Sequence, residues 1–269
     1  SSVAGDVDAA TIDNTGMLEQ NGGTITADAV NGSFKQTEGT IAAKGDTLVF
    51  GSTVEQARAE GKTAIIGADG KAVTVADVLT QTAGEINALT LTLQSGGSLG
   101  GTGTAATSLT AAGKDVEVKT GGSLTAPTIT AANLKTAGAV VSTTKINANV
   151  EQTDGTLDAK DVEGAAFKQT GGTATLTGTL TAAVDQDAGT LSANAVVGNV
   201  DQDGGTMTVD TSVTGNVNQK GIATDSFTAA SVSGNVTQEE GNLATVTTAS
   251  IGGNLEQNGG KVVAQGDTL

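Results

Sequence analysis

Between Val150 and Gln257, glutamine returns at a nearly fixed interval. Gln152, Gln169, Gln186, Gln202, Gln219, Gln238 and Gln257 are spaced by 17, 17, 16, 17, 19 and 19 residues. Each lies two residues after Val or Leu, or in one case after Phe167, and a glycine-marked turn follows it. A period this short is too small for a domain or a helical hairpin. It matches one rung of a β-solenoid, a chain coiled so that each turn stacks on the last. The sequence therefore predicts an all-β protein, a parallel β-solenoid (β-helix) of about 15 rungs, each of about 16–19 residues.

The repeat reads G-N-V-x-Q-x-x-G-T-L-x-A, with corner dipeptides at Gly198-Asn199, Gly215-Asn216, Gly234-Asn235 and Gly253-Asn254. Gly and Asn tolerate positive φ, which a corner between strands is expected to need. Strand alternation puts Val200 and Gln202 on one face, and Met207 and Val209 on one face. If the apolar residues point inward, so do the glutamines. A lone buried amide is costly, but a column of them can bond rung to rung as an Asn/Gln ladder. The residue before each glutamine then points outward. Lys168 stacks on Asp185 and Glu19 on Lys35 in complementary fashion, whereas Asp185 over Asp201 is a like-charge contact left to solvent.

Towards the start the pattern weakens. Leu18-Glu19-Gln20, Phe34-Lys35-Gln36, Leu79-Thr80-Gln81 and Leu91-Thr92-Leu93-Gln94 fit it, and Lys119 and Lys135 are read as replacing the glutamine. Residues 50–78 are read as an excursion from one solenoid domain spanning 1–269. Within it, Ser52-Thr53-Val54-Glu55 has the form of a capping box and predicts a short helix up to Gly61. Ala64–Ile66 and Val73–Val75 flank Asp69-Gly70 and predict a hairpin. Leu18–Gly23 is identical to Leu255–Gly260, and the match resumes between Gly45–Leu48 and Gly266–Leu269. This echo suits copies stacking head-to-tail. Function is expected where the repeats break, at 50–78, or at Leu269. With Ser1 rather than Met first, the chain is read as processed or excerpted.

Composition narrows the chemistry. There is no Cys, His, Trp or Tyr, and the only arginine is Arg58. Disulfides and thiolate metal sites are excluded, and no metal or cofactor site is assigned. A formal charge of −16 argues against nucleic acid as a partner. That charge and the few aromatics would suit disorder, but the 37% hydrophobic content is periodic, which disorder does not require. No run of 18 apolar residues is present to make a membrane helix. Asp187 with Asp203, or Asp154, are the carboxylates nearest to a glycosidase pair, yet the sugar platforms and cationic clamps are missing, so no catalytic residue is assigned. Gly100–Gly103 and Gly113-Lys114-Asp115 lack the phosphate-loop pattern, and the calcium nonapeptide is absent. Thr24-Ile25-Thr26, Thr173-Ala174-Thr175 and Thr206-Met207-Thr208 form Thr-x-Thr columns that would suit ice binding, with interruptions at Ala42, Gly100, Asp158 and Ala244.

The G-N-V-x-Q-x-G-G-T-L units, clearest from Val150 to Ala264, resemble the β-helix stalks of secreted bacterial proteins, namely autotransporter passengers and filamentous-haemagglutinin-like adhesins. That resemblance implies a non-enzymatic extracellular protein at the cell surface, a fibre or filament unit or an adhesin stalk. It implies as partners further copies of the chain, or a host or cell-surface ligand.

Overall fold

A computed structural model describes residues 1–68, 71–83, 85–86, 88, 90–93, 98–100, 109–118, 120, 123–125, 127–239 and 244–265. Among them the chain is all-β with no helix, and its strands pair in parallel as a β-solenoid of about 13 turns. The chain forms two compact units, Ser1–Ser142 and Thr143–Leu269.

In the first unit, one wall stacks Leu18, Phe34, Val54 and Leu79 in register, and a second stacks Leu48, Val73, Leu91, Val116 and Leu134. All of these are buried. The rings of Phe34 and Phe50 stack between walls with centroids 5.9 Å apart. A run of inward apolar side chains on every wall is what a parallel sheet covered on its inner face requires.

Residues 50–78, read as an excursion, contribute strands to the solenoid walls. Val54–Ala57 is a strand lying between Phe34–Gln36 and Leu79–Gln81, so the helix does not form. The capping-box reading fails because Val54 and Gln56 share one inward face at strand parity and are both fully buried. The hairpin fails as well. Ala64–Ile66 pairs in parallel with Gly39–Ile41, and Ala72–Val75 pairs with Thr47–Phe50, so the two strands belong to different walls. Asp69-Gly70 lies outside the described residues. Rungs here are longer, with 20 residues from Gln36 to Gln56 and 25 from Gln56 to Gln81. That accounts for a count of turns below the expected 15. Leu91-Thr92-Leu93 is also on another wall, opposite Val73-Thr74-Val75, and is not a rung of the glutamine column. Lys135 is exposed opposite Glu117 and replaces no glutamine. Gln94 and Lys119 lie outside the described residues.

In the second unit the register holds from rung to rung. Phe167, Val184, Val200, Val217 and Val236 form one buried column, and Leu157, Ala174, Leu191, Met207, Phe227 and Val246 another. Alternating large and small residues, Phe227 over Met207 and Ala229 over Val209, fill the narrow interior.

The corners differ from expectation. Among the described residues none other than glycine has positive φ, so the corner asparagines are not there for left-handed backbone. The Asn199 side-chain oxygen instead accepts the backbone N–H of Asn216 at 3.0 Å. Asn216 accepts that of Asn235 at 2.9 Å, and Asn235 that of Asn254 at 2.8 Å. The glycines before them are required by proximity. A Cβ on Gly215 would stand 2.2 Å from the Gly198 carbonyl oxygen, and one on Gly234 would stand 2.4 Å from that of Gly215.

Candidate functional site: the glutamine ladder and two outward faces

The glutamines at 20, 36 and 56 and from Gln152 to Gln238 point inward and form ladders, whereas Gln257, expected in the same column, is exposed and donates to the Gly260 carbonyl at 3.2 Å. In the first unit Gln36 donates to Gln20 at 3.0 Å and Gln56 to Gln36 at 2.9 Å. In the second unit Gln169, Gln186, Gln202, Gln219 and Gln238 each donate to the glutamine of the preceding rung at 2.9–3.2 Å. All of these side chains are fully buried. Most of the side-chain nitrogens also face two carbonyls. From Gln186 these are Gly189 at 3.4 Å and Thr206 of the next rung at 3.1 Å. The glycine three residues on has φ of 75° at Gly172, 90° at Gly189 and 82° at Gly205, which turns its carbonyl back onto the amide. The Q-x-x-G signature is thus one hydrogen-bonding device. Gln56 belongs to the ladder although its sequence neighbourhood suggested a helix. The signal was present in Val54-Glu55-Gln56, the same Val-x-Gln triplet seen later.

Outside this wall of the second unit lies an open groove of about 740 Å³ bounded by acidic and lysine side chains. The outward column expected from the sequence is present in register from Lys168 through Asp185 and Asp201 to Asn218, and Thr237 continues it. Lys168 lies 2.6 Å from Asp185 and 3.0 Å from Asp187. Lys220 lies 3.2 Å from Asp203, 3.6 Å from Glu239 and 3.7 Å from Asp201. The Asp185–Asp201 contact, left to solvent in the sequence reading, is therefore flanked by an ammonium on each side. The paired acids push both lysines above their usual range, Asp185 acting most strongly on Lys168 and Asp203 on Lys220. Asn218 bridges Asp201 and Glu239 through its amide nitrogen at 3.2 and 3.1 Å.

Of the carboxylates weighed as a glycosidase pair, Asp187 and Asp203 are each held by a lysine, and Asp154 is exposed at a turn. Among the described residues no group of three or more His, Cys, Asp or Glu is placed to hold a metal ion. The groove is an ion-paired surface. Lys220 and Glu239 escaped sequence reasoning because they enter this surface only when rungs of unequal length are brought into register.

A second outward face of the same unit carries hydroxyls. Thr173, Thr190, Thr206, Ser226 and Thr245 form one column, and Thr175, Ser192, Thr208, Thr228 and Thr247 the next. Ala244, expected to interrupt the column, is buried one position before it. Asp158 does interrupt, at one border, opposite Thr175. In the first unit Ala42 likewise interrupts, opposite Thr26. Gly100, the remaining expected interruption, pairs with Thr80 in the first unit.

The fold and these faces define the class, a parallel β-solenoid repeat protein. Comparison of the chain with protein-family models, with curated proteins and with solved structures gives no match.

Proposed function

We propose that the chain is a non-enzymatic, extracellular structural element, a stiff β-solenoid that serves as the unit of a bacterial cell-surface fibre or as the stalk of an adhesin. The observation that carries this reading is the unbroken ladder from Gln152 to Gln238. Each rung from Gln152 to Gln238 commits a buried amide to its neighbours, as a stack built for mechanical continuity would. The proposed partners are further copies added head-to-tail through matching rungs, since Leu18–Gly23 and Leu255–Gly260 share one sequence. Exposed strand edges favour such addition. Electron microscopy of the purified chain over a range of concentrations tests this. Filaments that lengthen with concentration are expected. Short separate particles at every concentration would remove the fibre and leave the stalk.

A further inference from the structure

The hydroxyl face of the second unit has properties that a structural stack does not need. The two columns run in register, without a bulge, through five successive rungs from Thr173 and Thr175 to Thr245 and Thr247. Among the described residues, none of these hydroxyls makes a hydrogen bond to the protein, so each keeps a donor and acceptors for an external partner. No charged residue stands in either column between those limits. Asp158 and Lys261 mark its borders.

The face is also held from behind. The ladder amides donate to the main-chain carbonyls of the first column, Gln152 to Thr173 at 3.0 Å, Gln169 to Thr190 at 3.0 Å, Gln186 to Thr206 at 3.1 Å and Gln202 to Ser226 at 3.0 Å. Preorganisation of this kind lowers the ordering cost of binding. Rungs repeat at about 4.8 Å, and alternate side chains along a strand at about 6.7 Å. The result is a neutral, two-dimensional grid of hydroxyls, each with a methyl group beside it wherever the residue is Thr. Thr has high strand propensity, which explains its presence in a sheet but not two outward columns of only Thr and Ser kept in register through five rungs.

We propose that this face binds a crystalline water surface, that is, ice. A small-molecule ligand would need a pocket, and an ionic one would need charge on the face. A lattice of uncharged hydrogen-bonding groups with repeats close to those of the grid needs neither, and the oxygen rows on the prism faces of hexagonal ice are such a lattice. The hydroxyls take lattice positions and the methyl groups order the water between them.

Thermal hysteresis and ice-crystal shaping of the purified chain test the proposal, beside Thr208→Lys at the centre of the grid and Thr237→Lys on the glutamine wall as a control. Circular-dichroism melting of all three establishes that they are folded. Faceted crystals with the parent and the control, and loss of shaping with Thr208→Lys, are expected. Freezing indistinguishable from that of an albumin solution, or full activity in a folded Thr208→Lys, would overturn the proposal. So would co-sedimentation with crystalline cellulose in the absence of any effect on ice, which would assign the grid to a polysaccharide lattice. None of these readouts depends on whether the chain forms fibres.

Discussion

The side-chain nitrogen of Gln186 stands 3.0 Å from the side-chain oxygen of Gln169 and 3.1 Å from the main-chain carbonyl of Thr206. One buried amide therefore joins the rung behind it to the rung ahead. Its oxygen accepts from Gln202 at 3.0 Å, so donor and acceptor capacities are both used.

Replacing Gln202 with Glu removes the donor. It sets a carboxylate against the oxygen of Gln186 and the carbonyls of Gly205 and Ser226. We expect a loss of about 3–5 kcal/mol in chemical denaturation. Gln202→Leu should be milder, since it leaves partners unsatisfied without burying a charge. A Glu variant that melts like the parent would mean that this side chain reaches water.

The corner glycines separate two causes of glycine requirement. Gly215→Ala places a methyl 2.2 Å from the Gly198 carbonyl and should cost about 1–3 kcal/mol through overpacking. Gly61→Ala meets open space but has φ of 70°, so the expected cost is about 1–2 kcal/mol from backbone strain alone. Gly16→Ala meets neither obstacle and should be neutral or slightly stabilising. Thermal melts of the three variants should rank in that order.

Asn216→Ala takes away the acceptor of the Asn235 backbone N–H at a solvent-accessible corner. The expected loss is about 0.5–1.5 kcal/mol. Hydrogen exchange should show faster exchange at Asn235 than at Val236, whose N–H keeps its carbonyl partner at Asn254.

The lysines of the groove give a pH dependence of definite sign. Lys220 is raised from an ordinary value of 10.5, first by Asp203, and Lys168 is raised by Asp185 and Asp187. A raised folded value means that their stabilising contribution is complete below the unfolded value and disappears as pH climbs through the folded one. Melting temperature should therefore be insensitive to these lysines between pH 7 and about 9 and fall only above the ordinary lysine range. Lys220→Met should flatten the alkaline fall. Because both pairs face solvent, raising salt at neutral pH should shrink the difference between parent and variant.

What could be read from the sequence followed from parity and period. Val200-Asp201-Gln202 states its inward and outward residues directly, because strand alternation has a period of two and does not depend on neighbours. Residues 50–78 were misread because a four-residue capping pattern is local evidence, while the placement of Gln56 under Gln36 is tertiary and 20 residues distant. The corner glycines were assigned to backbone conformation when their real constraint at Gly215 is an oxygen on Gly198, one rung away. The hydroxyl columns look broken at Ala244 because seven residues separate Gln238 from Thr245 where four separate Gln186 from Thr190, and only strand pairing restores Thr245 to its column.

The sameness of the joins has a genetic consequence. Gln186 receives Gln202 in the way that Gln169 receives Gln186, with the same triplet of acceptors around each amide. Deleting or duplicating the stretch between two such glutamines recreates a join that already exists, whereas a change of half that size destroys one. Length in this chain can therefore vary by unequal recombination in whole repeats, with selection acting on how many there are rather than on whether each can fold.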